Sequence, residues 1–472
     1  MYHDGSATFR FRWLLISAVR ALSLASILSM ASMVQADVKL PHVFGNNMVL
    51  QRDRPLPVWG TASPDEEVTV QLGGKSATTK AGADGKWKVE LPAMPANSQP
   101  QTMTVAGKNK VEIKDVLIGE VWVCSGQSNM SFAVASVDNY KQEVESAKFP
   151  EIRLFLIPAV QVPQPAADVN ATWVPCSPQT VGGFAAPGFF FGRELYKELK
   201  VPVGLIANAW GGRRIEPFTT PEGVKAVPAL AGKPQNELGI IYNGMFAPIV
   251  PYAVRGAVWY QGEANCSEAM LYTDRMRALA AGWRQAWSNP EMPLYYVQLA
   301  PFNYRPANML PEFWEAQTAA LAIPHTGMAV ITDIGNFHNI HPGNKQDVGK
   351  RLARWALNRT YGKKDVVPSG PLFKSAKVEG DKMRVEFAYA GGLKSRDGKP
   401  LTEFEIAGAD GKYVPAKAAI DGSTVVVTAD AVKEPQSVRL GWRPNANPNL
   451  VNGEGLPTGS FRSKDWKGAT GE

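Results

Sequence analysis

A serine at the tip of a small polar turn can accept an acyl group. It does so only if a base takes its proton and fixed donors hold the oxyanion that develops. The segment Val121-Trp122-Val123-Cys124-Ser125-Gly126-Gln127-Ser128-Asn129-Met130 offers such a serine. An apolar run stops abruptly, and Ser128 follows a glycine where its hydroxyl would stand outside a sheet edge. An ordinary polar loop is the competing reading of this segment alone. The chain has five histidines. His3 lies in the leader and His42 in the N-terminal β region, while His325 precedes a strand. His341 is the candidate base and His338 the second choice. His341 lies in Asn339-Ile340-His341-Pro342-Gly343-Asn344-Lys345-Gln346, a turn after a strand that launches an amphipathic helix. That places it on the same edge as Ser128.

Two further glycine turns could supply oxyanion donors. One is Trp210-Gly211-Gly212-Arg213-Arg214, and the other is Trp259-Tyr260-Gln261-Gly262-Glu263-Ala264-Asn265. Glycine lets a backbone N–H approach a ligand closely. The side-chain amides of Gln261 and Asn265 are neutral donors suited to an oxyanion. Gly211, Gly212 and Gln261 are the expected oxyanion residues. Arg213, Asn265 and Asn129 are the expected substrate contacts. A guanidinium at the site mouth could grip a carboxylate bidentately, or pair with Glu216 instead.

These turns need strands to hold them. Between residues 116 and 366, apolar runs at 203–208, 257–260, 294–299 and 328–331 alternate with helix-period segments. Phe191, Leu195 and Leu199 form one such helical stripe, and Val348, Leu352 and Trp355 form another. Strand–helix alternation predicts an α/β fold with a parallel sheet covered on both faces, whose ligands bind beyond the strands' carboxyl ends. Residues 37–115 carry short alternating segments, such as Glu67-Val68-Thr69-Val70-Gln71-Leu72, and favour a β-sandwich. Residues 367–465 return to β patterning, and 466–472 form a tail.

Residues 1–36 have the features of an export signal. Arg10, Arg12 and Arg20 precede a short apolar core at 21–30, and Val34-Gln35-Ala36 fits a cleavage site. That core is too short to span a membrane. The expectation is an exported protein, periplasmic or extracellular. The formal net charge of +7 is diffuse and has no basic run with interleaved aromatics, which argues against nucleic acid. Three cysteines, Cys124, Cys176 and Cys266, exclude a fully paired disulfide framework and show no zinc spacing. No metal or other cofactor is expected.

Gly126-Gln127-Ser128-Asn129-Met130, Trp210-Gly211-Gly212, Tyr242-Asn243-Gly244-Met245, Trp259-Tyr260-Gln261-Gly262-Glu263-Ala264-Asn265 and Ile340-His341-Pro342 follow one another in one order. In these motifs the chain resembles the sialate O-acetylesterase family, a branch of the SGNH/GDSL hydrolases similar to some acetyl xylan esterases. Met48-Val49-Leu50-Gln51-Arg52 and Asn452-Gly453-Glu454-Gly455-Leu456-Pro457 extend the likeness to both β regions. The resemblance implies a flavodoxin-like SGNH domain between β-sandwich regions. It also implies cofactor-free removal of O-acetyl groups from sugars, with Ser128 as nucleophile, His341 as base, and Gly211-Gly212 and Gln261 in the oxyanion region. Two departures stand out. Members of this family often carry an aspartate two or three residues before the histidine, where this chain has Asn339 and His338. Glu263 is the first substitute acid and Asp333 the second; a Ser–His dyad oriented by a backbone carbonyl is the third option. Arg213-Arg214 stands where relatives commonly show threonine and a small residue. The substrate expected from the resemblance is O-acetylated sialic acid. The alternatives are an acetyl xylan esterase and a non-catalytic glycan-binding protein on a hydrolase scaffold.

Overall fold

The computed structural model describes Met1 and residues 37–468, so the export-signal segment lies outside the described residues. A seven-stranded sheet forms the centre. Its strands are β1 (Lys110–Gly126), β2 (Phe149–Leu156), β3 (Trp173–Cys176), β4 (Val203–Ala209), β5 (Gly256–Tyr260), β6 (Leu294–Val297) and β7 (Thr326–Ala329). Across the sheet they lie in the order β7-β6-β5-β1-β4-β2-β3. Every pairing is parallel except β2 with β3, which is antiparallel. The principal helices are α1 (Ser128–Ser131), α2 (Ala186–Leu199), α3 (Leu271–Ala286), α4 (Met309–Ala319) and α5 (Lys345–Trp355).

The second half of β1 reads as an unbroken apolar run because both its faces are covered. Val121, Trp122, Val123 and Cys124 are all fully buried. Helices α2 and α5 cross on one face at very close range. A Cβ on Gly349 would stand 2.5 Å from the Phe190 Cβ, so only glycine permits that approach. This packing fixes where α5 begins, and with it the loop that carries His341.

The first half of β1 belongs to the N-terminal β region. There it pairs in parallel with Val49–Gln51 and antiparallel with Asn97–Ala106, which carries Glu67–Leu72 and Lys75–Lys80 beyond it. One continuous strand therefore serves both regions, and buried residues from Val38 to Leu372 share a single hydrophobic core. Burial alternates along Glu67–Leu72, as its sequence alternates.

Towards the C-terminus two four-stranded antiparallel sheets enclose a second core. Phe373 and Phe461 stack there with ring centroids 4.4 Å apart. The region is tied to the α/β part by Arg462 on Glu315 at 2.8 Å and by the Thr332 hydroxyl on the Thr458 carbonyl at 3.1 Å. All three cysteines are buried free thiols. Among the described residues no helix is long and apolar enough to cross a membrane.

Candidate active site

Three turns converge on one rung of the sheet. In register, Ala209 of β4 and Tyr260 of β5 both lie opposite Gly126, the last residue of β1. The chain can turn there only because residue 126 is glycine. Its φ is +141°, and a Cβ would sit 2.1 Å from the Tyr260 carbonyl oxygen. The Gln127 amide donates to that same carbonyl at 3.0 Å, and Ser128 opens the short helix α1. Amides in the first turn of a helix have no intrahelical acceptor, which leaves the Ser128 N–H available as a donor. Gly211 lies directly against it, with its Cβ position 3.4 Å from the Ser128 Cβ.

His341 arrives from the other side, on the loop between β7 and α5. Asn344 caps α5 by accepting the Asp347 N–H at 3.0 Å, and its amide donates to the Asp347 carboxylate at 2.7 Å. The His341 backbone N–H donates to Asn339 Oδ1 at 2.9 Å. Its ring packs beside Phe132, centroids 6.3 Å apart, and its Nε2 lies 2.7 Å from Ser128 Oγ. Partial burial, and then the charge of Lys345, hold the imidazole below its ordinary value of 6.5. It is therefore neutral, and able to accept a proton, at neutral pH. His338 lies exposed on the loop and takes no part.

The acid candidates are placed elsewhere. Among the described residues no carboxylate is hydrogen-bonded or ion-paired to His341. Asp333 is spent on Arg351, at 2.6 and 2.7 Å. Glu263 lies beneath the nucleophile turn, where its Oε1 accepts a hydrogen bond from Asn129 at 2.5 Å and its buried Oε2 has no partner. Burial pushes the Glu263 carboxyl above its ordinary value. Asn129 in turn donates to the Ile340 carbonyl at 3.0 Å and accepts from Lys345 Nζ at 2.6 Å. All its polar positions face inward, which takes it out of reach of a substrate.

Gln261 and Asn265 are likewise committed within the protein. Gln261 Nε2 donates to the Arg213 carbonyl at 3.1 Å and to Asn265 Oδ1 at 2.8 Å, while its Oε1 accepts from Tyr272. Asn265 Nδ2 donates to Glu216 and Glu268 at 3.1 and 3.0 Å, and its Oδ1 also takes the Ile215 N–H. Both amides brace the glycine turns rather than line the opening. Arg213 stacks on Trp210 at 4.5 Å and donates to Glu237 and Gln161. Arg214 pairs with Glu216, as its spacing allowed, and with Glu268. Arg275 completes this network against Glu268 at 2.6 Å.

Two residues of the site carried little signal in the sequence. Phe132 follows the serine turn and supports the histidine ring. Lys345 reads as a solvated lysine at a helix start, although a cation there opposes the helix dipole. That mismatch was the one available clue. Lys345 is in fact fully buried, its ammonium 4.8 Å from the Phe132 ring and 5.3 Å from that of Tyr260.

A mostly parallel sheet with these turns at its carboxyl edge is the framework of an SGNH-type carboxylic ester hydrolase. The family of carbohydrate esterases described as sialic acid-specific acetylesterase matches residues 118–358. Human sialate O-acetylesterase is 30% identical over 393 residues, spanning 73% of this chain and 75% of the human protein. The rat sialate O-acetylesterase is 29% identical over 408 residues, spanning 71% and 75%. The crystal structure of a carbohydrate acetylesterase from Xanthomonas citri superimposes with a TM-score of 0.85 at 38% identity, covering 91% of this chain and 100% of that one. The chain belongs to this carbohydrate esterase family.

Proposed function

We propose that the protein removes O-acetyl groups from a sugar through an acetyl-enzyme on Ser128. The 2.7 Å contact between Ser128 Oγ and His341 Nε2 carries this reading. Ser128 Oγ attacks the acetyl carbonyl carbon while His341 takes the hydroxyl proton. The Ser128 N–H and the Gly211-Gly212 turn stabilise the tetrahedral oxyanion. The bond to the sugar oxygen then breaks, and His341 returns its proton to that oxygen. Water, deprotonated by His341, attacks the acetyl-Ser128 ester. Acetate departs, and Ser128 recovers its proton.

Sialic acid is the sugar that the family description and the curated relatives support. A neutral acetylated polysaccharide such as xylan is the second reading. It is favoured by the Arg213 guanidinium, which is already held by Glu237, Gln161 and the Trp210 ring. Residues 1–36 direct export, and the segment 116–366 carries the chemistry between β regions 37–115 and 367–465. The test is acetate release by the purified protein from O-acetylated sialic acid and from acetylated xylan, side by side. Release from the first alone supports the acidic sugar, and release from the second alone supports the neutral one. Release from no acetylated sugar would discard the proposal.

A further inference from the structure

Beneath the Ser128–His341 pair runs a buried chain that the acyl-transfer steps do not use. Glu263 Oε1, Asn129 Nδ2 and Oδ1, and Lys345 Nζ follow one another at 2.5 and 2.6 Å. The chain begins on the turn after β5, passes through the residue next to the nucleophile, and ends on the first residue of α5. Asn129 also holds the Ile340 carbonyl, one residue before His341. Every member therefore touches a segment that sets the distance between Ser128 and His341, and none of them is hydrogen-bonded to either side chain.

We infer that Glu263, Asn129 and Lys345 form an ionic positioning relay that clamps the nucleophile turn to the histidine loop and holds a cation beside His341. This rests on the esterase reading above and deepens it. The burial cost supports it: an ammonium and a carboxylate are both expensive to take out of water unless they compensate each other. Burial alone drives Lys345 down to about 7, against the pull of Glu263 and Asp138. Purely structural packing at this position would be served as well by methionine. The charged groups around Lys345 are Glu263 from the β5 turn, Asp138 from the segment before β2, and His341 from its own loop. Tyr260 and Tyr304 face Glu263 with their phenols neutral, pushed up by burial. A cation in this position disfavours the imidazolium, which keeps His341 a free base to lower pH. The same cation, held through Asn129, pulls the Glu263 carboxyl down, against the burial that still holds it above its ordinary value.

The test compares wild type with Lys345→Met and with the double variant Lys345→Met/Glu263→Gln, which removes both charges and leaves no unpaired ion. Two readouts are taken across pH. One is kcat and KM for acetate release, and the other is the rate at which a fluorophosphonate probe labels Ser128, which needs no sugar. In both variants kcat falls about 10- to 100-fold with KM nearly unchanged, as expected for lost alignment. The acid limb of kcat/KM, and of labelling, moves up by about one pH unit, as expected when a neighbouring cation is removed. Lys345→Arg, which keeps the charge, retains the wild-type acid limb. Wild-type kcat and acid limb in a folded variant would overturn the inference, and so would a fall in kcat with the acid limb unmoved. Wild-type His341 titrating at or above pH 6.5 by NMR would overturn it without any variant. Probe labelling of Ser128 without release of acetate would discard the sugar esterase reading but leave the relay measurable.

Discussion

Asp333 meets Arg351 with both carboxylate oxygens, at 2.6 and 2.7 Å, and each side chain is 10% exposed. Arg351 also donates to the Val330 carbonyl at 2.8 Å, so the pair fastens α5 to the end of β7. Asp333 is hydrogen-bonded to Arg351, not to the histidine ring, which makes this a structural ion pair. Asp333→Asn should therefore cost stability rather than chemistry. Breaking one side of a buried pair costs about 3–5 kcal/mol. Denaturant unfolding should register that loss, while kcat per folded molecule stays near wild type. A collapse of kcat with unchanged stability would restore Asp333 as the orienting acid.

The Ser128–His341 contact makes the opposite forecast. Neither side chain is part of the hydrophobic core, so Ser128→Ala and His341→Ala should fold normally. Each should reduce acetate release by about 10⁴-fold or more, because members of such a pair act as one unit. The double variant should be no worse than either single one. Wild-type turnover by Ser128→Ala would remove the serine from the mechanism.

The imidazole has a direction as well as a place. Its affinity for protons is depressed in the folded protein, by desolvation first and by Lys345 second. A base with a lowered value stays neutral further into acid, so the acid limb of kcat/KM should fall below pH 6.5, the ordinary histidine value. A pH–rate profile of the free enzyme measures this directly. An acid limb above pH 6.5 would show that another group, or a different His341 environment, controls the rate.

The serine, the histidine and the two glycine turns were legible because each ends or follows an element with a clear period. β1 is apolar throughout its second half, α5 has a strong stripe, and glycine marks where strands stop. The roles of Gln261, Asn265 and Asn129 were not legible. An amide has the same chemistry whether it faces a substrate or a neighbouring loop. Only the tertiary contacts of Tyr272, Glu216 and Lys345 decide which way these three point. Glu263 was found as a residue of the site, but its hydrogen-bond partner is Asn129, not the histidine. The shared strand β1 was equally hidden. Its composition changes near residue 116, yet its backbone continues through that point from Lys110 to Gly126.

Arg275 is 2% exposed and pairs with Glu268 and with the nearly inaccessible Glu216. Arg275→Met would leave Arg214 to face both carboxylates around Asn265, the residue that ties the Ile215 N–H to the Gln261 side chain. The expected loss is up to about 3–5 kcal/mol of stability, the cost of breaking a buried ion pair, reduced by the pairing that Arg214 retains. It should be partly recovered by Arg275→Met/Glu268→Gln, since removing both partners leaves less charge unpaired. Thermal unfolding of the two variants tests this. Equal stability of Arg275→Met and wild type would mean that the network contributes nothing.

The sharpest constraint in the site is steric, and it concerns Gly126 alone. An alanine there would have to hold a φ of +141° and place its Cβ 2.1 Å from the Tyr260 carbonyl oxygen. That carbonyl accepts the Gln127 N–H, so relief by moving it would also unpick the start of the serine turn. β1 and β5 would be forced apart at the rung where Ser128 is aimed. Gly126→Ala should therefore abolish activity, and it should lower the unfolding midpoint sharply or prevent folding altogether. Gly183→Ala is the matching control, because nothing lies within 4 Å of the Cβ it would add. If the control is normal and Gly126→Ala keeps even a tenth of wild-type turnover, the turn has more freedom than its geometry allows. The placement of Ser128 would then have to rest on something other than the close of β1 against β5.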